Sequence, residues 1–360
     1  MPTQAEITQK GHERKVIFFG CPLDSDEKDD SIQEKLSING PRGENDDPYS
    51  FIMELIRQEV DSEFWEEKGS IDVPGWLRPI PLDKENIIVD NFVAFIDDDG
   101  CRRYAEMVGE IVGNIFPNIP CMLAIDHSLT GGAFRRLVEL FSPEDISLIV
   151  LDSHLDALPI SILSGAIQYD IETNPNSVYD SNDPFIRDRP ESYNASSFLY
   201  HLLEEEVVEP ENLYVIGISD YPPKRSFRIK DQRIKRYVGL YSGLRKKGVR
   251  IVTKKDLLVN PSTIRTVFRQ IETPYVYISV DMDIGARNAM EGVRFRNWQG
   301  LNEKQIYRIV DNLCDLLSGQ IQIAGMDLTE INPRRAGLSY PSGNDRTYRI
   351  AANLIRKLVF

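Results

Sequence analysis

The chain has 360 residues, a formal net charge of −14 and 41% hydrophobic residues, which is typical of a globular protein. The acidic charge makes nucleic acid and anionic membranes unfavourable partners, and no apolar run approaches the ~20 residues of a membrane span. Its four cysteines are widely spaced without a C-x-x-C pair, and no signal peptide is recognisable, so we expect a cytoplasmic protein.

Apolar runs alternate with segments of helical periodicity along most of the chain. Residues 1–14 are polar, and we expect them to be frayed. Strands are predicted at 15–20, 86–90, 120–125, 146–152, 212–218, 249–252, 275–281 and 321–327. Helices are predicted at 48–58, 100–115, 131–140, 230–246, 261–271, 302–317 and 345–358. This alternation predicts one α/β domain over residues 15–360, with a mostly parallel sheet covered by helices on both faces.

Two long segments do not follow the alternation. Residues 24–48 are acidic at first and then rich in Asn, Gly and Pro, and we expect a loop over the carboxyl edge of the sheet. Residues 157–193 have a similar composition and are expected to form a surface excursion. They are either a disordered insertion or a lid over a pocket.

Potential metal ligands follow three of the predicted strands. They are His127 after the strand at 120–125, then Asp152, His154 and Asp156, and finally Asp281 and Asp283. Side chains two apart on an extended segment share a face, and the carboxyl edge of a parallel sheet is where such folds bind ligands. Each group taken alone is also an ordinary polar strand end.

Together these six side chains favour a metal site. Six ligands exceed the four of a tetrahedral ion, and nitrogen with carboxylate oxygen but no sulfur suits a harder ion such as Mn²⁺. Four crowded carboxylates would repel one another strongly without cations. Two of the aspartates could bridge a pair of ions about 3.5–4 Å apart, as in two-metal hydrolytic sites.

The ordered motifs resemble those of the ureohydrolases, the superfamily of arginases, agmatinases and formimidoylglutamases. The matching segments are Ala124-Ile-Asp-His-Ser128, Asp152-Ser-His-Leu-Asp156, Ser279-Val-Asp-Met-Asp283, Gly325-Met-Asp-Leu-Thr-Glu-Ile-Asn-Pro333 and Phe19-Gly-Cys-Pro-Leu-Asp24. Each short motif is weak alone, but their order and spacing hold from about residue 15 to the end.

The resemblance implies a three-layer αβα fold and a site for two Mn²⁺ ions per chain. One ion would be held by His127, Asp152, Asp156 and Asp281, and the other by His154, Asp152, Asp281 and Asp283. A hydroxide bridging the ions would attack the carbon of a guanidino or amidino group. Asp156 would also accept a hydrogen bond from this nucleophile, and Glu330 would bind the cationic nitrogens of the substrate.

The chain also departs from the family pattern. Asn194 stands where arginases and agmatinases have a histidine thought to shuttle protons, so we assign Asn194 to the catalytic set in its place. The family's Gly-Thr-Gly turn is replaced by a segment containing Gly292-Val-Arg-Phe, and the contacts to the amino-acid part of arginine are not recognisable after Asp156. These changes favour a divergent member that resembles the peptide arginases, which convert arginine residues of peptides to ornithine with release of urea.

Three other functions stay open at this point. The substrate could be agmatine, formimidoylglutamate or another small amidine. A deacetylase-like hydrolase of the same fold typically holds a single ion, and the presence of His127, Asp156 and Asp283 argues against it. A non-catalytic binding protein of this fold would be favoured by lost ligands, whereas all six are present. A homo-oligomer is compatible with the family, and the sequence does not define it.

Overall fold

The structure, a computed structural model, describes residues 14–37, 47–81, 83–296, 299–341 and 343–360. The frayed segment predicted at 1–14 therefore lies, apart from Arg14, outside the described residues. Ten strands are described: β1 (Val16–Cys21), β2 (Trp65–Ser70), β3 (Ile119–Ala124), β4 (Ile146–Leu151), β5 (Leu213–Ile218), β6 (Arg250–Thr253), β7 (Tyr275–Asp281), β8 (Gln322–Thr329), β9 (Ser339–Tyr340) and β10 (Gly343–Asn344).

Twelve α-helices connect or flank these strands in the described ranges. They are α1 (Asp29–Ser37), α2 (Pro48–Glu59), α3 (Val89–Asp97), α4 (Gly100–Ile115), α5 (Leu129–Phe141), α6 (Ile160–Thr173), α7 (Phe198–Glu204), α8 (Gln232–Lys247), α9 (Lys254–Val259), α10 (Thr263–Phe268), α11 (Glu303–Leu317) and α12 (Thr347–Val359). None of the described helices is both long and apolar enough to cross a bilayer.

Eight strands form one parallel sheet in the order β2-β1-β3-β8-β7-β4-β5-β6. Strands β9 and β10 form a separate antiparallel two-stranded sheet. The last two long strands, β7 and β8, lie between β3 and β4, so the four strand ends followed by candidate site residues are neighbours. This order places residues that are far apart in sequence at one edge, where parallel sheets bind ligands.

The sheet separates two hydrophobic cores. Side chains alternate across a strand, so Ile17 and Phe19 enter one core whereas Val16 and Phe18 enter the other. Helices α3, α4, α5, α7 and α8 contribute buried residues to the first core, and α2, α9, α10, α11 and α12 to the second. The predicted three-layer αβα architecture with a parallel sheet is confirmed.

Several predicted elements differ from the structure. The strand predicted at 86–90 is wrong, because these residues form a turn and the start of α3, where Phe92 and Ile96 are buried four residues apart on one helix face. Helix 261–271 is shorter than predicted and follows a separate helix, α9. Edge strand β2 was missed because only Trp65 of its six residues is buried, so the apolar signal of a strand is absent.

Both irregular segments contain helices. The stretch predicted as a loop, 24–48, includes α1, while residues 38–46 lie outside the described part. The excursion at 157–193 includes α6, whose partner helix is α8: Arg233 of α8 pairs with Glu172 of α6 at 2.6 Å. The described excursion therefore contains a helix that contacts α8, and its role as a lid over a pocket stays a prediction.

Candidate active site

The predicted site residues meet at the carboxyl ends of four adjacent strands. His127 follows β3, Asp281 ends β7, and Glu330 follows β8. Strand β4 ends at Leu151, one residue before Asp152, so the ligands that follow it lie in a loop rather than along an extended strand. Their spacing is set by this loop, in which Asp156 has a positive φ of 50°.

The first cluster surrounds the His127 ring. Its Nδ1 lies 2.9 Å from Asp156 Oδ2, 3.2 Å from Asp281 Oδ2 and 3.4 Å from Asp152 Oδ2. One ligand atom from each of these four residues falls within 4.8 Å of all the others. This is the set predicted from the sequence for the first ion.

The second cluster shares Asp152 with the first. It contains Asp152, His154 and Asp283, and His154 Nδ1 lies 2.9 Å from Asp283 Oδ2. Asp281, the other predicted bridge, adjoins this cluster: its Oδ1 accepts a hydrogen bond from the Asp283 backbone N–H at 2.8 Å. Asp152 is therefore shared by the two clusters, as a bridging ligand would be, and bridging by Asp152 and by Asp281 stays a prediction.

The donor set fits a hard divalent cation. Oδ2 of Asp152 and Oδ2 of Asp283 are buried and accept no hydrogen bond from the described residues. Buried carboxylate oxygens normally find a donor, because leaving them unsatisfied is unfavourable. Nitrogen and carboxylate oxygen without thiolate are ligands suited to Mn²⁺. The clusters thus have the number and kind of atoms for two ions.

A chain of hydrogen bonds orients the His127 ring through its Nε2 atom, on the side away from the carboxylates. Its Nε2 lies 3.0 Å from Ser279 Oγ, which donates to Asp327 Oδ1 at 2.7 Å. Asp327 also accepts hydrogen bonds from Tyr277 and Thr130, so both of its oxygens are fixed. This arrangement assigns a proton to Nε2 and aims Nδ1 at the carboxylates, which is how metal-binding histidines are commonly supported.

The crowded charges shift several pKa values. Burial, with the charges of Asp156 and Asp283, raises the pKa of Asp152 to about 8. Burial alone would lower the pKa of His127, but the close contacts of its ring with the carboxylates of Asp152, Asp156 and Asp281 outweigh burial and raise that pKa well above its ordinary value. The pKa of His154 is raised in the same way, against burial, by Asp283 and Asp152. Protons thus balance the carboxylates here when cations are absent.

Glu330 has two oxygens in different surroundings. Its Oε1 accepts hydrogen bonds from Arg294 Nη1 at 3.1 Å and from the His127 backbone N–H at 3.3 Å. Its Oε2 is buried and has no hydrogen-bond partner among the described residues. Arg294 is held in turn by Asp24, whose Oδ1 lies 3.1 Å from Nε. Arg294 had not been predicted as part of the site, and no local sequence signal marks it.

A cavity of about 180 Å³ opens above the clusters. Its lining includes His154, Asp156, Asp281 and Glu330 on the floor, and Lys28, Leu158, Leu163, Tyr179 and Phe295 among the walls. The walls therefore come partly from the two segments that the sequence had marked as irregular.

Asp220 also lines this cavity and was missed from the sequence. Its Oδ2 accepts hydrogen bonds from Tyr241 at 3.0 Å and from the Leu155 backbone at 3.3 Å. Asp220 comes soon after the apolar strand β5, which is the same pattern that identified the other acids. Its strand-end position is therefore a signal that could have revealed it.

Asn194 lies in a tight turn before α7. Its Oδ1 accepts a hydrogen bond from the Ser196 backbone at 2.9 Å, and its Nδ2 donates to the Ser192 carbonyl at 3.4 Å. Ser196 lines the cavity, whereas Asn194 is not among the described lining residues. These contacts give Asn194 a structural role in the turn, and a catalytic role for it stays a prediction.

A model of the arginase family matches residues 69–360, and the chain belongs to this family. It is a hydrolase acting on C–N bonds of linear amidines, the class to which the fold and the clustered ligands already pointed. An arginase of Staphylococcus aureus (strain COL) is 25% identical over 312 residues, which cover 84% of this chain and 86% of that protein.

Solved structures of this class share the fold. Formimidoylglutamase from Bacillus subtilis subsp. subtilis str. 168 has a TM-score of 0.58 and 17% identity, covering 98% of this chain and 88% of that one. Trypanosoma cruzi formiminoglutamase with Mn²⁺ has a TM-score of 0.56 and 13% identity, covering 99% and 97%. The suspected ureohydrolase relationship is thereby confirmed.

Proposed function

We propose that the chain hydrolyses the guanidino group of arginine, with an arginine residue of a peptide as the favoured substrate, to give ornithine and urea. The observation that carries the proposal is the pair of histidine–carboxylate clusters sharing Asp152 on the floor of the cavity.

Four free cysteines support, as a further proposal, a reducing cytoplasmic location.

Two Mn²⁺ ions, when bound, would supply an acidified water as nucleophile. The residues that would hold them are His127, Asp152, Asp156, Asp281, His154 and Asp283. Asp156 lines the cavity and would accept a hydrogen bond from this nucleophile. Glu330 offers Oε2 to a substrate nitrogen, so the substrate carbon would be held above the clusters.

A small amidine is the second candidate substrate. The cavity of about 180 Å³ is below the usual range for ligand pockets, roughly 300–1,000 Å³. It has room for the reacting group and a short chain, and a peptide would have to leave its backbone outside. Formimidoylglutamate and agmatine are therefore the comparison substrates.

The test uses Mn²⁺-loaded protein with four substrates: an arginine-containing peptide, free arginine, agmatine and formimidoylglutamate. Urea is measured for the three guanidino substrates and formamide for formimidoylglutamate. Urea from the peptide with no product from the other three supports the favoured substrate, whereas urea from free arginine at comparable kcat/KM would contradict it. Asp281→Ala should abolish turnover of every substrate and lower the Mn²⁺ content. Asp311→Ala, which removes an exposed aspartate on α11, is the matched control and should leave both unchanged.

A further inference from the structure

Lys28 is the one lysine among the described residues that line the cavity. It lies in the segment before α1, and its side chain is half-buried. The titratable groups that share the lining are otherwise mainly acidic, including Asp156, Asp220 and Glu330. A positive charge on the wall of a cavity with an acidic floor divides the cavity into two regions of opposite charge.

Aromatic rings hold the Lys28 ammonium group in place. Its Nζ lies 4.4 Å from the centroid of the Phe295 ring and 6.0 Å from that of Phe185. Phe295 lines the same cavity. A cation–π contact orients an ammonium group without neutralising its charge, because the ring carries no net charge. The donors of Lys28 thus stay available to an anion.

The acids near Lys28 do not form an ion pair with it. Burial raises the pKa of Asp183, and the nearby charge of Lys28 opposes that rise. Asp26 accepts a hydrogen bond from the Lys28 backbone N–H at 3.1 Å. In the described part of the chain, no carboxylate lies within ion-pair distance of Lys28 Nζ. The Lys28 side chain instead lines the cavity, with its ammonium group over the Phe295 ring.

We propose that Lys28 is a specificity-determining residue that binds an anionic group of the substrate, a carboxylate at the far end from the amidine. This inference rests on the proposed function and narrows its substrate class. The acidic floor attracts the amidinium or guanidinium cation, and Lys28 attracts the carboxylate while repelling a second cation. Recognition therefore combines attraction for a substrate with a carboxylate at its far end and repulsion of a substrate with a cation at that end. In a peptide, the carboxylate would belong to an acidic side chain or to the C-terminus.

The experiment compares two guanidino compounds that differ at the far end. The probes are 4-guanidinobutanoate, which ends in a carboxylate, and agmatine, which ends in an ammonium group. The Mn²⁺-loaded wild type should favour the carboxylate probe by about 10- to 100-fold in kcat/KM, the range of one charge-assisted hydrogen bond. Lys28→Met should remove most of this preference through KM, and Lys28→Glu should reverse it.

Lys224→Met is the matched control, because Lys224 is an exposed lysine beyond β5 that does not line the cavity. It should keep the wild-type preference. An unchanged ratio of the two probes in Lys28→Met, or an equal change in Lys224→Met, would overturn the inference. A peptide pair with Glu or Lys beside the arginine repeats the comparison for a larger substrate.

Calorimetric binding of both probes to the Mn²⁺-loaded wild type and to Lys28→Met separates the two proposals. If no substrate is hydrolysed, the proposed function fails, while tighter binding of 4-guanidinobutanoate that depends on Lys28 still supports this inference. Hydrolysis without any such dependence leaves the proposed function standing and refutes the role of Lys28. If the wild type binds neither probe, the inference is refuted as well.

Discussion

Asp156 and Glu330 have backbone φ values of 50° and 64°, in the left-handed region that residues with a side chain rarely adopt. Such a conformation costs on the order of 1–3 kcal/mol and persists only where surrounding contacts determine it. Here the Leu199 N–H donates to the Asp156 carbonyl, and the Glu330 N–H donates to the Ile125 carbonyl. Two residues of the candidate site are thus aimed by constrained turns, as is common at functional positions.

Glu330→Gln is expected to lower kcat/KM by about 10- to 100-fold, the range of one charge-assisted hydrogen bond. Arg294 donates to Oε1 of Glu330 and needs a hydrogen-bond acceptor there. The amide oxygen of Gln should therefore face Arg294, and its NH₂ group should face the cavity. A donor would then replace the acceptor Oε2. The measurement is steady-state kinetics with each substrate that the wild type turns over.

Glu303→Gln is the control for this change, because Glu303 also pairs with an arginine, Arg346, but lies on α11 away from the cavity. Unchanged kinetics are expected for it. If Glu330→Gln also retained full activity, Glu330 would not contact the substrate.

At the scale of elements, the end of β5 supports the position of Asp152. Gly217 has a φ of 111°, and a Cβ there would lie 2.7 Å from the Asp152 carbonyl oxygen. The pairing of β5 with β6 shifts register between Ile216 and Ile218, on either side of this glycine. A residue without a side chain therefore allows two strand ends to approach closely beside the metal clusters.

Gly217→Ala should lower the free energy of unfolding by about 1–3 kcal/mol and reduce the Mn²⁺ content, because the methyl group would displace Asp152. Urea denaturation and metal analysis of the purified variants measure the two effects. Gly243→Ala in α8, where a Cβ meets nothing within 4 Å, should be neutral or stabilising, by up to ~1 kcal/mol. Equal stabilities of the two variants would contradict the close approach.

At the scale of the whole molecule, the site connects distant parts of the chain. Its residues extend from His127 to Glu330 and come from the ends of four strands that all lie in the middle of the sheet. Metal ions bound there would link strands that pack against both hydrophobic cores. Metal binding and global stability are therefore expected to be coupled, since a ligand that binds only the folded state stabilises it.

The metal-dependent difference in Tm should grow as the pH rises from about 6 to about 8. In the metal-free protein, the pKa values of His127 and His154 are raised above the ordinary value, so their stabilising contribution is lost as the pH rises through those values. The carboxyl of Asp152, with a pKa of about 8, loses its proton over the same range and adds repulsion. Metal ions also bind more tightly as these protons leave.

Thermal unfolding of the Mn²⁺-loaded and the chelator-treated protein at several pH values measures this difference. The variant Asp281→Ala, with a lowered Mn²⁺ content, should show a smaller difference at every pH. A difference in Tm that is constant or shrinks with pH would show that the histidines carry no extra protons in the metal-free state.

Local patterns in the sequence determined the strand runs, the helices with clear periodicity and the six candidate metal ligands. These are short-range features, because an apolar run followed by acids and histidines is visible within about ten residues. These patterns missed the exposed edge strand β2, because its sequence has no apolar run. They also predicted a strand at Ile87 and Ile88, where an apolar run leads into the helix α3.

Only the tertiary structure decided which residues surround these ligands. The insertion of β7 and β8 between β3 and β4 joins segments up to about 200 residues apart, and no local pattern encodes that order. The pairing of Arg294 with Glu330 and the placement of Lys28 over Phe295 arise from the same long-range packing. Single segments of the sequence therefore predict the metal ligands of the site. The selectivity for a substrate depends on contacts between segments that meet only in the folded chain.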